Sequence, residues 1–311
     1  MARVDGRRRL LTISTAPTLM TLGNLLCGFM AVFWASRSGG EVVLGQFRPL
    51  TIAAGLVFTG MVFDALDGMV ARLARSSSGF GAQLDSMADM VTFGVAPAFL
   101  AVQVNDVGLP FFATDAGDSY FGRLVLLTAA AYAACCGLRL ARFTVEAAAA
   151  STAGPDDRPD PGPGPGRDSD APTRRARRPD AFIGLPSPGA AGLIASLVLV
   201  HLAILDSWPT SPAARLGPLV IVACMFLAAL AMVSQLPYPH AVKRGLRRRR
   251  PFVPLALGVV AVILLLAAPR LSAAAAFAAY ALLGPLTATR RPKPRYTCAE
   301  SDRPTHHATG G

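Results

Sequence analysis

Long apolar segments alternate with short polar connections along most of the chain. About 20 apolar residues are enough to cross a bilayer, and backbone groups in lipid must be hydrogen-bonded within the segment, which favours helices. The pattern therefore predicts an all-α integral membrane protein with about eight transmembrane helices. The predicted spans are 17–36, 49–66, 86–104, 121–142, 185–205, 216–236, 252–268 and 271–289.

The polar stretches divide the chain into five parts. The stretch 146–182 is rich in Pro, Gly, Asp and Arg, so it has too little apolar surface to order itself and is predicted to be a disordered cytoplasmic loop. The parts are a basic N-terminal segment (1–16), helices one to four (17–145), this loop (146–182), helices five to eight (183–290) and a disordered tail (291–311).

The basic residues predict the orientation of the spans. When both termini are placed on one side of the membrane, that side collects 25 of the 30 Lys and Arg residues. The positive-inside rule assigns such a side to the cytoplasm. We therefore expect both termini in the cytoplasm, an even number of spans and a multi-pass protein of the cell (plasma) membrane.

Composition narrows the class of protein. Hydrophobic residues make up 52% of the chain and charged residues 16%, with a mean hydropathy of +0.44, which argues against a soluble enzyme. A net charge of +11 would suggest nucleic acid as the partner of a soluble protein. Here the charges flank apolar segments, so we expect anionic membrane lipids and no nucleic acid.

Four of the 19 acidic residues fall in or beside the second and third spans. Asp64 and Asp67 are three residues apart, and Asp85 and Asp89 are four apart, so each pair shares one face of a helix. Ionisable groups at membrane depth are costly and usually functional. Because four carboxylates repel one another, a cation is expected between them, and the all-oxygen donor set favours Mg²⁺ or Mn²⁺.

Residues between the two pairs fit a phosphate ligand. Gly68 and Ala71 are small and leave space on the helix face, and Gly81 permits close approach of a ligand. The Arg72 guanidinium can donate two parallel hydrogen bonds to a phosphate. The structural alternative is that the carboxylates pair with Arg72 and Arg75 and hold two helices together.

The same residues carry a family resemblance. Asp64-Ala-Leu-Asp67-Gly68-Met-Val-Ala71-Arg72, followed after eight residues by Gly81-Ala-Gln-Leu-Asp85-Ser-Met-Ala-Asp89, resembles the signature of the CDP-alcohol phosphatidyltransferase family. The resemblance implies a membrane transferase with a six-helix core. It also implies that the four Asp residues bind two divalent ions, Mg²⁺ or Mn²⁺, which hold the diphosphate of a CDP-linked lipid, and that Asp89 is the general base.

Flanking segments at 21–28, 85–97, 136–143 and 184–188 resemble the branch of the family that uses CDP-diacylglycerol and L-serine. The resemblance implies a homodimer, a site that faces the cytoplasm, and phosphatidylserine and CMP as products. The residues expected to contact the CDP-lipid are Thr21, Asn24, Gly68, Ala71, Arg72 and Gly81, and those expected to contact serine or phosphate are Ser86, Arg139 and Arg142.

Three other functions stay open at this point. The acceptor in the same chemistry could be glycerol 3-phosphate or inositol phosphate, which are anionic and require a further basic pocket. Acidic residues in a polytopic protein could also line a cation-transport pathway, although transporters place such groups near the midplane. A catalytically inactive protein that only binds CDP-lipids is disfavoured because all four motif carboxylates are present.

Overall fold

The computed structural model describes residues 2–37, 47–74, 79–108, 120–152, 182–234, 237–238, 264 and 267–289. These residues are almost entirely helical. A short antiparallel pair joins β1 (Phe182–Ile183) to β2 (Pro237–Tyr238), with Phe182 opposite Tyr238. The helices are α1 (Ala2–Ala35), α2 (Pro49–Ala74), α3 (Gly79–Asp89), α4 (Ala96–Gly108), α5 (Tyr120–Thr152), α6 (Ser187–Ser207), α7 (Pro212–Val233) and α8 (Pro269–Thr289).

Among the described residues, six helical segments are long and apolar enough to cross a membrane. The predicted class, an all-α multi-pass membrane protein, is therefore confirmed. The segments are Pro17–Ala35, Pro49–Val70, Phe80–Asn105, Tyr120–Glu146, Ser187–Ser207 and Pro212–Val233.

The predicted total of eight spans goes beyond these six. Most of the segment 252–268 lies outside the described residues, and the segment 271–289 forms α8 but is not among the six. The count of eight and the cytoplasmic location of both termini therefore stay predictions.

Two segment boundaries differ from those drawn on the sequence. Helix α1 begins at Ala2, so residues 2–16 of the predicted basic segment are continuous with the first span. Helix α5 continues to Thr152, past the predicted boundary at 145. The remainder of the predicted loop, 153–181, and the predicted tail, 291–311, lie outside the described residues.

Helices α3 and α4 are joined by one π-helical turn, Met90–Val95. Pro97 explains this turn, because proline lacks an N–H and its ring crowds the carbonyl four residues earlier, which is that of Phe93. The helix widens there, and the Ala96 N–H donates to the Val91 carbonyl five residues back. The Phe93 carbonyl instead accepts from the Tyr132 hydroxyl of α5 at 3.0 Å.

The interior of the bundle is apolar and joins most of the helices. Fully buried side chains include Val57 of α2, Leu100 of α4, Tyr132 of α5, Ile194 of α6 and Met225 of α7. Helix α1 packs against α2, α3 and the π-helical turn, and α8 packs against α6. The bundle therefore fixes α1, α2 and α3 together at the end where the acidic residues lie.

Thr92 in the π-helical turn lies where this turn meets α1 and α2 most closely. A Cβ atom added at Gly28 would overlap the Thr92 Oγ1 and lie 2.9 Å from the Thr92 backbone nitrogen. A Cβ added at Gly60 of α2 would lie 2.5 Å from the Thr92 Cγ2. Glycine at these two positions allows the three elements to come together.

We predict that Gly28→Ala lowers stability, because the new methyl group must push against the backbone of the π-helical turn. Overpacking of this kind costs about 1–3 kcal/mol. The measurement is the thermal unfolding midpoint of the detergent-solubilised protein. Gly55→Ala is the matched control, since a Cβ at Gly55 meets nothing within 4 Å. Equal midpoints for the two variants would contradict the close contact.

Candidate active site

Three of the four motif carboxylates come together between α2 and α3. Carboxylate oxygens of Asp64, Asp85 and Asp89 lie within 4.8 Å of one another. Asp89 is buried, with 9% of its surface exposed, whereas Asp64 and Asp85 are half-buried. We call these three residues the acidic triad. It joins one member of the predicted Asp64 and Asp67 pair to both members of the Asp85 and Asp89 pair.

Asp67, the fourth motif carboxylate, is buried beside the acidic triad but is not one of the three clustered residues. Its Oδ2 accepts a hydrogen bond from the Thr21 hydroxyl of α1. The second carboxylate oxygen is not used in that bond. Thr21 therefore fixes the orientation of Asp67 from the neighbouring helix.

Asn24, one turn further along α1, is completely buried and contacts Asp89. Its Nδ2 donates to the Asp89 Oδ1 at 2.9 Å, and its backbone carbonyl accepts from the Thr92 hydroxyl at 2.9 Å. Asn24 thus links Asp89 to the turn that follows it. Both Thr21 and Asn24 were predicted to contact the CDP-lipid, and the structure places their polar groups on the motif carboxylates.

The acidic triad fits a hard divalent cation. Its donor atoms are all carboxylate oxygens, the ligands that Mg²⁺ and Mn²⁺ prefer. The ion pairs found among the described residues, Arg48 with Asp206 and Arg142 with Glu146, lie elsewhere. A bound divalent cation would offset the repulsion among these three carboxylates, which form no ion pair within the described part of the chain.

The glycines and the serine of the motif have different surroundings. A Cβ added at Gly68 would meet nothing within 4 Å, so the helix face next to Asp67 is open. Gly81 lies in the first turn of α3. The Ser86 hydroxyl donates to the Ala82 carbonyl of its own helix at 3.0 Å. The side chains of Ala71 and Arg72 lie outside the described residues.

The two predicted arginines of α5 differ in environment. Arg142 is exposed and its Nε lies 2.8 Å from a carboxylate oxygen of Glu146. Arg139 is half-buried, and its Nη1 lies 3.1 Å from the position of a Cβ added at Gly184. Gly184 has a φ of 87°, a left-handed conformation that glycine adopts readily. Arg139 therefore lies against the segment that leads into α6.

Two residues near the acidic triad were missed at the level of sequence. Thr92 binds the Asn24 carbonyl, and Tyr132 binds the Phe93 carbonyl. Pro97 is the signal that could have found the second contact, because a proline inside an apolar span leaves a carbonyl that needs another donor.

The chain is similar to known proteins over part of its length. Residues 14–161, which include α1 from residue 14 onward and all of α2 to α5, match the family model of the CDP-alcohol phosphatidyltransferases. This part of the chain is therefore similar to a CDP-alcohol phosphatidyltransferase domain, as the motif indicated. The particular relatives it resembles are described next.

Similar curated proteins are CDP-diacylglycerol–serine O-phosphatidyltransferases. The Bacillus subtilis protein is 36% identical over 130 residues, which are 42% of this chain and 61% of the relative. A Helicobacter pylori protein is 32% identical over 184 residues, 59% and 57% of the two chains. The Methanocaldococcus jannaschii protein is 33% identical over 138 residues, 44% and 51% of the two chains. The chain thus spans about half to three fifths of these relatives.

We predict that the protein binds Mn²⁺ and that Asp85→Asn weakens this binding at least about tenfold, since loss even of a group that only orients a ligand costs 10-fold or more. Binding is measured as loss of the electron paramagnetic resonance signal of free Mn²⁺. The control is Asp206→Asn, which removes an acidic group in a surface ion pair. Equal affinity in both variants would argue against a metal site at the acidic triad.

Proposed function

We propose that this protein transfers the phosphatidyl group of CDP-diacylglycerol to the hydroxyl of L-serine, giving phosphatidylserine and CMP by in-line displacement. The observation that carries the proposal is the acidic triad, with Asp67 beside it, inside a CDP-alcohol phosphatidyltransferase domain. The serine acceptor is supported by the names of the similar curated proteins.

Asp64, Asp67, Asp85 and Asp89 would hold two divalent ions, Mg²⁺ or Mn²⁺. Bound ions would supply positive charge to the diphosphate and to the departing CMP. Thr21 donates to Asp67 and Asn24 donates to Asp89, so two of the four carboxylates are oriented before any ligand binds. Such preorientation limits the reorganisation needed when charge develops.

Asp89 would act as the general base. Its Oδ1 accepts from Asn24, which leaves Oδ2 to accept the proton of the serine hydroxyl. The serine oxygen forms a bond to the lipid-side phosphorus, and the bond from that phosphorus to the bridging oxygen breaks. The electron pair of the broken bond leaves with CMP, so atoms and charge balance.

The CDP-lipid would lie along the open face of α2. Gly68 offers space there, and Gly81 in the first turn of α3 would allow the ligand to approach closely. Arg72 would bind a phosphate, with Ala71 keeping the helix slim beside it. Thr21 and Asn24 already donate hydrogen bonds to Asp67 and Asp89, so they would contact only the periphery of the ligand.

The acceptor would bind between α3 and α5. Arg139 would receive the serine carboxylate, because it is half-buried next to the segment leading into α6. Arg142, exposed and paired with Glu146, would attract the acceptor from further out. Ser86 would offer its hydroxyl oxygen to the serine ammonium group.

Most Lys and Arg residues lie in the segments on the same side of the membrane as the two predicted termini. This excess supports a site at the cytoplasmic side of the plasma membrane. Asp64 and Asp67 lie in the second half of α2, and Asp85 and Asp89 lie in the first half of the third span. Neither pair is at the centre of its span. This placement favours a lipid enzyme over a cation transporter, whose acidic groups lie near the midplane.

We predict that the purified protein in detergent with Mn²⁺ releases CMP from CDP-diacylglycerol when serine is supplied. Asp89→Asn is expected to lose at least about 100-fold in rate, the usual contribution of a general base. The measurement is CMP release, with serine, glycerol 3-phosphate and inositol phosphate offered separately. Asp206→Asn serves as a folded control.

Each result of that assay decides one part of the proposal. Release with another acceptor only would keep the chemistry and replace serine. No release with any acceptor would reject the transferase reaction, and ion flux through reconstituted vesicles would then identify a transporter. Full activity in Asp89→Asn would remove this residue from the role of base.

We predict that Arg139→Gln raises the KM for serine at least about tenfold, because a hydrogen bond to a charged group contributes about 1.5–3 kcal/mol. The KM for CDP-diacylglycerol should stay unchanged. Arg142→Gln is the matched comparison and should have a smaller effect, since Arg142 is exposed. If Arg142→Gln raises the KM for serine more than Arg139→Gln does, the serine carboxylate is assigned to Arg142 instead.

A further inference from the structure

Asp89 is the last residue of α3 and is followed directly by the π-helical turn. Each residue of an α-helix advances the chain by about 100° around the axis, so the extra residue accommodated in a π-helical turn changes the relative rotation of the segments on either side. The direction of the Asp89 side chain relative to the packed core of α4 therefore depends on how this turn is held.

Two hydrogen bonds with other helices hold the turn. The Tyr132 hydroxyl of α5 donates to the Phe93 carbonyl at 3.0 Å, where Pro97 offers no amide hydrogen. The Thr92 hydroxyl donates to the Asn24 carbonyl of α1 at 2.9 Å. Tyr132 and Thr92 are both fully buried, so water does not compete for either hydrogen bond.

The two bonds approach the turn from different helices. Asn24 accepts from Thr92 through its backbone and donates to Asp89 through its side chain. Residues on α1 and α5 thus fix both the residue that carries the carboxylate and the turn that follows it. The close approaches at Gly28 and Gly60 leave Thr92 little room to move.

We propose that Tyr132 and Thr92 are positioning residues for Asp89, which hold the π-helical turn in the one arrangement that keeps the Asp89 carboxylate within the acidic triad. Tyr132 is not a catalytic residue, because its hydroxyl is bonded to the Phe93 carbonyl. The effect on turnover rests on the proposed function. The effect on cation binding does not, and it provides a readout that is independent of activity.

The first test removes one oxygen atom. Tyr132→Phe should weaken Mn²⁺ binding about tenfold, as expected when a group that orients a metal ligand is lost, and should lower kcat by a similar factor with the KM for serine unchanged. Mn²⁺ binding is followed by electron paramagnetic resonance and turnover by CMP release. Tyr120→Phe is the matched control, since Tyr120 is 91% exposed at the start of α5.

Pro97→Ala supplies the missing amide hydrogen, and because Pro97 also causes the π-helical turn, the Mn²⁺ affinity of Pro97→Ala alone is the reference for the double variant. In that background the Phe93 carbonyl has a backbone donor, so adding Tyr132→Phe should change Mn²⁺ affinity by less than about twofold. Non-additivity of this kind identifies residues that act through one shared contact. Equal effects of Tyr132→Phe in both backgrounds would overturn the role of the Phe93 carbonyl.

Thr92 gives a second, independent comparison. Thr92→Val keeps the shape of the side chain and removes the hydroxyl, and it should weaken Mn²⁺ binding about tenfold. Thr92→Ser keeps the hydroxyl and should retain affinity within about threefold. Thr128→Val is the control, because the Thr128 hydroxyl donates to the Leu124 carbonyl of its own helix.

Folding of Tyr132→Phe and Thr92→Val is checked by size-exclusion elution volume and thermal unfolding midpoint. The proposal is overturned if both folded variants bind Mn²⁺ with the affinity of the wild type. It is also overturned if the wild type binds no Mn²⁺. Mn²⁺ binding without CMP release from any acceptor would reject the proposed function alone, and the comparison of affinities would still decide the roles of Tyr132 and Thr92.

Discussion

The hydrogen bond from Asn24 to Asp89 is the contact on which the arrangement of the site depends. Carboxylates that share one small volume repel one another, and in a membrane protein the surrounding apolar groups do little to screen that repulsion. Asn24 offsets part of it by donating to Asp89, and Thr21 does the same for Asp67. Helix α1 contributes no acidic residue to the acidic triad, yet it orients two of the four motif carboxylates.

The contact between α1 and the third span requires a local break in helical geometry. Pro97 prevents the ordinary hydrogen bond to the Phe93 carbonyl, and the chain widens into a π-helical turn. Gly28 and Gly60 let this turn approach α1 and α2. One irregular turn therefore serves both packing and the placement of Asp89, which explains why it lies immediately after that residue.

The sequence predicted the class of fold and the four motif carboxylates because both depend on local patterns. Apolar length predicted six of the described helices, and spacings of three and four residues placed Asp64 with Asp67 and Asp85 with Asp89 on shared helix faces. Such local patterns do not predict contacts between segments that are distant in sequence. Thr21 with Asp67 and Asn24 with Asp89 join residues 46 and 65 positions apart, and only packing decides which polar groups meet.

The two sides of the proposed reaction are built from different parts of the chain. The carboxylates and their partners on α1 all lie within residues 14–161, the part that matches the family. Arg139 also lies there, but it rests against Gly184, which follows β1 and precedes α6. In the proposed assignment, the diphosphate side is thus complete within the matched domain, whereas the acceptor side includes a contact beyond it. In this assignment, substitutions around Gly184 would alter the choice of acceptor while Asp64, Asp85 and Asp89 keep their arrangement.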